Sequence, residues 1–183
     1  MRVISGELRG RNLLTVPGES TRPTSGMLKG MVFNILQQYL DDAQVLDICA
    51  GCGALGIEAL SRGASFATFV ESDRRALEVL EKNRERCGLS QRSAVLAGDA
   101  LRRLSLWYPA QNIDLVFCDP PYLSDLYEPL LSLLGSADWM KDDTIVVLEH
   151  HRDLHFEGSY GRITPYRRTT YSHSSVTFLR HDT

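Results

Sequence analysis

The chain has 183 residues, 43% hydrophobic and 23% charged, with a formal net charge of −3. That suits one domain of ordinary globular composition and excludes a wholly disordered chain, a collagen-like repeat and a disulfide miniprotein. No apolar run approaches the ~20 residues that span a bilayer, and the start, Met1-Arg2-Val3-Ile4-Ser5-Gly6-Glu7, lacks an apolar signal region, so a cytoplasmic protein is expected.

In chain order, residues 1–16 alternate loosely around Gly6 and Gly10 and predict a short hairpin. Residues 17–24 read as a loop. Thr24 or Ser25 then caps a helix running to about Leu40, with Met27, Met31, Ile35 and Leu36 near helical spacing. Residues 45–50 predict a buried strand, followed by a glycine-rich turn and a helix to about Arg62. Phe66–Glu71 is a second strand. Ser72 or Asp73 caps the next helix, which ends at Cys87 with Gly88 as its stop. Residues 94–97 form a third strand leading to Gly98-Asp99. Residues 113–118 form a fourth leading to Asp119-Pro120-Pro121-Tyr122. A helix over 125–134 and a fifth strand over 144–149 follow. The tail, 161–180, reads as two extended segments joined near Ser172-His173. Strands separated by helices at this spacing mean βαβ units, hence an α/β fold with a mostly parallel sheet covered on both faces. The last two strands suit an antiparallel hairpin closing one edge.

Charge is segregated along the chain. Residues 1–30 carry a surplus of +3 and residues 151–183 a surplus of +2, so the middle holds −8. Such asymmetry suits a polyanion-binding arm beside an acidic core. Cys49 and Cys52 are spaced as C-x-x-C, but no second pair stands at zinc-ligand spacing. With Cys87 and Cys118 they read as buried free thiols of a reducing compartment. No metal site is expected. His150-His151 read as surface or loop histidines, and Arg167-Arg168 as a solvated edge strand.

Four strands deliver a carboxylate at or near one edge: Asp47, Glu71, Asp99 and Asp119. In an open α/β sheet, ligands bind outside the carboxyl ends of the strands. Gly51-Cys52-Gly53-Ala54-Leu55-Gly56 fits G-x-G-x-x-G between a strand and a helix, and Glu71 lies twenty positions beyond Gly51, where an acid grips ribose hydroxyls. Alone, this pattern fits nicotinamide enzymes as well as other nucleoside-binding folds. Asp119-Pro120-Pro121-Tyr122 narrows it. Two prolines stiffen a loop at the strand edge, a carboxylate and a carbonyl accept hydrogen bonds from an amino group, and an aromatic face stacks on a base.

Asp47-Ile48-Cys49-Ala50-Gly51-Cys52-Gly53-Ala54-Leu55-Gly56 resembles motif I of the S-adenosylmethionine-dependent methyltransferases, and Asp119-Pro120-Pro121-Tyr122 resembles their amino-methylating motif. Gly6-Glu7-Leu8-Arg9-Gly10-Arg11, Thr21-Arg22-Pro23-Thr24, Phe33-Asn34-Ile35-Leu36 and the run Gly53 to Ala64 resemble the bacterial 16S ribosomal RNA guanine-N2 methyltransferases, the RsmD family. The resemblance runs from residue 2 to about 150. Cys49 and Cys52 stand where that family more often has Phe and Ser, and the glycines are intact. The resemblance implies a Rossmann-like class I methyltransferase with a seven-stranded, mostly parallel sheet over 25–183 and a basic arm over 1–24. It implies S-adenosyl-L-methionine as cofactor, held by Asp47, Gly51, Gly53, Gly56, Glu71, Ser72, Asp99 and Ala100. It implies a catalytic set of Asp119, the Pro120 carbonyl and Tyr122 stacked on the guanine. Arg9, Arg11 and Arg22 are the expected RNA contacts. The implied partner is 16S ribosomal RNA in an assembling small subunit, met by a monomer without membrane association. The alternatives are another amino-methyltransferase of the same motif, acting on a different RNA guanine or on DNA adenine, and a nicotinamide-dependent oxidoreductase.

Overall fold

A computed structural model of the chain describes residues 1–16, 26–122 and 124–181. The expected loop over 17–24, the Thr24 or Ser25 cap and Arg22 lie outside the described residues. The chain opens by doubling back on itself. Arg2 and Asn12 form one antiparallel bridge, the Val3 N–H donates to the Arg11 carbonyl at 2.9 Å, and the Leu13 N–H donates to the Met1 carbonyl at 2.8 Å. The expected hairpin is thus a single bridge, because most of the arm's remaining backbone bonds are made to its own turns and to the body.

The elements that follow are α1 (Gly26–Leu36), a 3-10 turn (Gln37–Tyr39), β1 (Gln44–Ile48), α2 (Ala54–Ser61), β2 (Phe66–Glu71), α3 (Arg74–Arg86), β3 (Ser93–Ala97), α4 (Ala100–Ser105), β4 (Ile113–Cys118), α5 (Tyr127–Ser136), β5 (Met140–His151), β6 (Ile163–Tyr171) and β7 (Ser174–His181). The seven strands make one sheet of order β3-β2-β1-β4-β5-β7-β6. Strands β1 to β5 are parallel, and β7 runs antiparallel between β5 and β6.

Strand alternation divides the core. Phe69, Leu115, Phe117 and Phe178 point to one face, against Phe33 and Leu36 of α1, Ile57 and Leu60 of α2 and Leu80 of α3. Leu46, Ile48, Val116, Val146 and Leu148 point to the other, against Leu104 of α4 and Leu130, Leu131 and Leu134 of α5. Each such fully buried side chain contributes about 1.5–3 kcal/mol. Asp73 and Asp99 start α3 and α4 by accepting from the Ala76 and Arg102 N–H at 2.8 and 2.9 Å.

Helix α4 is absent from the sequence expectation. It spans six residues with only Ala100 and Leu104 buried, too short to show a helical period. Strand β5 is longer than expected, running through the polar Lys141, Asp142 and Asp143 and on to His151. His150 therefore is not a surface histidine. It is fully buried in β5, with its Nδ1 2.8 Å from the His151 carbonyl and its Nε2 2.8 Å from the Thr177 hydroxyl. A carbonyl only accepts, so Nδ1 carries the proton and Nε2 accepts from Thr177. Burial lowers its pKa to about 4. Among the described residues no helix is long and apolar enough to cross a membrane.

From β1 the chain winds outward to β3, then returns to lay β4 on the other side of β1. That reversal opens a crevice at the carboxyl ends of β1 and β4.

Candidate active site

The crevice holds a cavity of about 690 Å³, within the range of small-molecule sites. Of the predicted residues, Asp47, Gly51, Glu71, Ser72, Asp119 and Pro120 line it. Gly53, Gly56, Asp99, Ala100 and Tyr122 are outside that lining. Three segments that sequence reasoning did not place here also contribute: Met1, Thr15 and Val16 of the arm, Leu28, Lys29 and Val32 of α1, and Glu149, two residues before the end of β5.

The turn after β1 is built on its carboxylates. Gly51 has a φ of 55°, and a Cβ there would meet nothing within 4 Å, so its open side faces the cavity. The Gly51 N–H donates to Glu71 Oε2 at 2.7 Å. The other oxygen of Glu71, Oε1, accepts from the Ser72 and Asp73 N–H at 2.7 and 2.8 Å. Three amides thus fix one buried carboxylate at the end of β2. A carboxylate offers about four acceptor positions, so a fixed Glu71 retains capacity for a sugar hydroxyl.

Asp47 is buried beneath this turn, and its Oδ2 accepts from the Gly56 N–H at 2.9 Å. Gly56 is required by packing, since a Cβ would lie 2.4 Å from the Phe69 ring. Burial raises the Asp47 pKa to about 7, the Gly56 N–H opposes the rise, and the charge of Glu71 adds to it. Of the four expected strand-end acids, Asp47, Glu71 and Asp119 line the cavity and Asp99 does not. Burial pushes the Cys49 thiol up to about 12, with the charges of Glu71, Asp119, Asp47 and Asp99 adding. The thiols of Cys52 and Cys118 are also raised by burial, and all four cysteines are free. These are protonated, unreactive thiols at neutral pH. Asp99 itself is exposed and caps α4, while Ala100 is buried against the second core.

Beyond β4 the chain continues along β1 for one more residue, with the Asp119 N–H 3.2 Å from the Ile48 carbonyl. Asp119 is half-buried and Pro120 buried. The hydroxyl of Tyr127, at the start of α5, donates to the Pro120 carbonyl at 3.4 Å, leaving that oxygen a second lone pair. Burial and then Asp119 raise the Tyr127 pKa, so the phenol stays protonated. Tyr122 is anchored rather than free to swing. Its hydroxyl donates to Glu149 Oε1 at 3.3 Å and meets the Ser174 hydroxyl, and its ring lies edge-on to His151 at 5.7 Å. Glu149, 7% exposed, is a fifth strand-end acid. Its signal in the sequence was its position closing the apolar run of β5.

The arm seals one wall. Glu58 of α2 accepts from the Ile4 and Ser5 N–H at 2.8 and 3.0 Å and pairs with Lys29 at 2.9 Å and Arg62 at 2.8 Å. Burial pushes its pKa up, but the Ile4 amide, Lys29 and Arg62 outweigh this and hold the group below its ordinary value. Arg9 and Arg11 are exposed on the arm, and Arg11 donates one N–H to the Arg86 carbonyl at the end of α3. Arg168 is a strut of the edge strand, donating to His155, the Arg152 carbonyl and Ser175. Among the described residues no group of three or more His, Cys, Asp or Glu is arranged to hold a metal ion.

A seven-stranded sheet with this order, a switch-point cavity, a strand-end acid held by three amides and an Asp-Pro-Pro-Tyr loop together define a Rossmann-like class I methyltransferase. The family model described as Conserved hypothetical protein 95 matches residues 1–180, and the chain belongs to that family. Similar curated proteins include the Ribosomal RNA small subunit methyltransferase D of Haemophilus influenzae, 36% identical over 155 residues, covering 84% of this chain and 80% of that protein. The protein of the same name from Escherichia coli is 37% identical over 149 residues, covering 81% and 74%. The solved Escherichia coli protein yhhF superposes with a TM-score of 0.86 at 30% identity, covering 100% of this chain and 98% of that one.

Proposed function

We propose that the protein methylates the exocyclic N2 amine of a guanine in small-subunit ribosomal RNA, using S-adenosylmethionine, and that it acts as a monomer on RNA presented in an assembling subunit. The observation that carries this reading is the pair of acceptors, Asp119 and the Pro120 carbonyl, fixed on a proline-stiffened loop at the edge of the cavity. The relatives named as ribosomal RNA small subunit methyltransferases support the substrate class.

The residues present fit the cofactor. Glu71, held by three amides, suits a ribose diol, Gly51 leaves its side of the turn open, and the carboxylates of Asp47 and Glu71 favour a cation. When bound, S-adenosylmethionine supplies an electrophilic methyl group on positively charged sulfur. The chain's own work is on the amine. The guanine N2 lone pair is delocalised into the ring, which makes it a poor nucleophile. Asp119 and the Pro120 carbonyl accept its two N–H bonds, favour a pyramidal nitrogen and aim the lone pair into the cavity. Tyr122 offers a ring face to the base, and Asp119 takes the proton that the nitrogen sheds as it gains the methyl. Orientation of this kind is worth ~7–11 kcal/mol in favourable intramolecular systems. The base must leave its stack to arrive, at a cost of about a few kcal/mol that is smaller in a loop.

Transfer of labelled methyl to RNA from a strain lacking the protein, followed by mapping of the modified nucleotide, tests the reading. A single N2-methylated guanine in small-subunit RNA is expected, and Asp119→Ala is expected to lose turnover at least about 100-fold while binding cofactor in calorimetry. Methylation of another base, or full turnover by Asp119→Ala, refutes it.

A further inference from the structure

Glu149 is a buried carboxylate that the methyl transfer described above does not use. It lies in β5 just past the last residue paired in parallel with β4, and the register Cys118 with Leu148 makes Asp119 and Glu149 the next residues on the two neighbouring chains. Neighbouring strands lie about 4.8 Å apart, so the two acids rise side by side at one edge. Both line the cavity. Glu149 is 7% exposed, and the Tyr122 hydroxyl on its Oε1 ties it to the Asp-Pro-Pro-Tyr loop.

The substrate edge that fits this row is specific. The Watson–Crick edge of guanine presents three N–H bonds in succession, two on N2 and one on N1. Asp119 and the Pro120 carbonyl take the N2 pair, so a third acceptor beside them meets N1–H. Adenine presents an acceptor at N1 and no amine at C2. An ionised carboxylate has no proton to give an N1 acceptor and repels its lone pair. A buried polar group left without its partner costs more than the bond itself contributes, and sites built on a substrate N–H reject analogues lacking it strongly.

Resting on the reading that the target is a guanine N2 amine in RNA, we infer that Glu149 is the specificity residue that recognises the N1–H of that guanine. Asp119 serves the transfer and Glu149 the choice of base. The Tyr122 hydroxyl donates to Glu149 Oε1 at 3.3 Å and also meets the Ser174 hydroxyl of β7, so the loop and β7 converge beside the acid.

The test compares two small-subunit RNAs, each offered naked and reconstituted into particles. One carries guanine at the methylated position. The other carries 2-aminopurine, which keeps the reacting N2 amine but has an acceptor at N1. The parent protein is expected to prefer guanine by at least about 100-fold in kcat/KM. In Glu149→Gln, whose amide can either accept or donate, the preference is expected to fall to within about 10-fold, with cofactor affinity in calorimetry unchanged. Tyr122→Phe, which removes the hydroxyl but leaves the carboxylate, is expected to keep the preference. A parent protein that methylates both RNAs equally overturns the inference, whatever the variants do. So does a Glu149→Gln variant that loses both activities in proportion, or a Tyr122→Phe variant that reproduces the collapse. A parent protein that methylates neither RNA refutes the proposed substrate, and the inference falls with it. Guanine methylation at N2 with an unaltered ratio in Glu149→Gln refutes the inference alone.

Discussion

Asp47 sits where burial and the proposed hold on a cationic cofactor pull in opposite directions. Its carboxyl is pushed from 3.8 to about 7, first by burial and then by Glu71. A folded pKa above the unfolded one means that the folded state holds its proton more tightly. The group's contribution to stability is therefore greatest below pH 3.8 and is lost as pH rises toward 7. Asp47→Asn retains an oxygen for the Gly56 N–H and removes the charge. In the cofactor-free protein, urea denaturation is expected to show the variant gaining on the parent by about 3 kcal/mol between pH 4 and pH 8. The same variant should bind S-adenosylmethionine about 10-fold more weakly at pH 8, because an ionised acid near a cationic ligand is lost. A stability difference that stays flat over this range would show that burial does not hold the Asp47 proton. Glu71, beside it at the end of β2, accepts three amide N–H bonds where Asp47 accepts one from Gly56.

At the scale of elements, the N-terminal arm is welded to α2 and α3 rather than hung from the sheet. Glu58 takes two arm amides and two cations in a buried site, and Asn83 of α3 donates to both the Leu14 and the Cys52 carbonyl while accepting the Leu14 N–H. One asparagine thereby joins the arm to the turn that lines the cavity. Removing one partner of a buried charge network leaves the others uncompensated, so Glu58→Ala should cost about 3–5 kcal/mol in chemical denaturation and expose the arm to proteolysis first. A loss under about 1 kcal/mol would show that the arm is held by its buried Val3, Leu8 and Leu13 alone. None of this network was legible in the sequence, because Ile4, Lys29 and Glu58 are far apart in the chain. What was legible has local causes. β2 and β4 match their expected bounds to the residue because each is an apolar run closed by an acid or a proline loop. Helix α4 was not, since six residues with two buried positions carry no period. His150 and Glu149 were misplaced or passed over for one reason: their partners, Thr177 and Tyr122, come from β7 and from the loop after β4.

Over the whole molecule, the segregation of charge along the chain becomes a division of labour in space. The acidic middle supplies Asp47, Glu71, Asp119 and Glu149 to one cavity, the first two suited to a cationic cofactor and the last two to the N–H edge of a base. Residues 1–16 of the basic first segment fold onto α2 and α3 beside that cavity, with Met1, Thr15 and Val16 in its wall and Arg9 and Arg11 exposed. A net charge of −3 therefore understates the attraction for a polyanion, because phosphates meet the local surface and not the sum. Phosphate contacts release counterions, so each one contributes roughly −0.7 to −0.9 to the slope of log affinity against log salt. Arg9→Gln should weaken small-subunit RNA binding at low salt and make that slope shallower by about 1, leaving calorimetric affinity for S-adenosylmethionine unchanged. Arg11→Gln should do the same, with a further small loss of thermal stability from the hydrogen bond it gives the end of α3. Slopes identical to the parent in both variants would place the RNA on another face and leave the arm only its structural task.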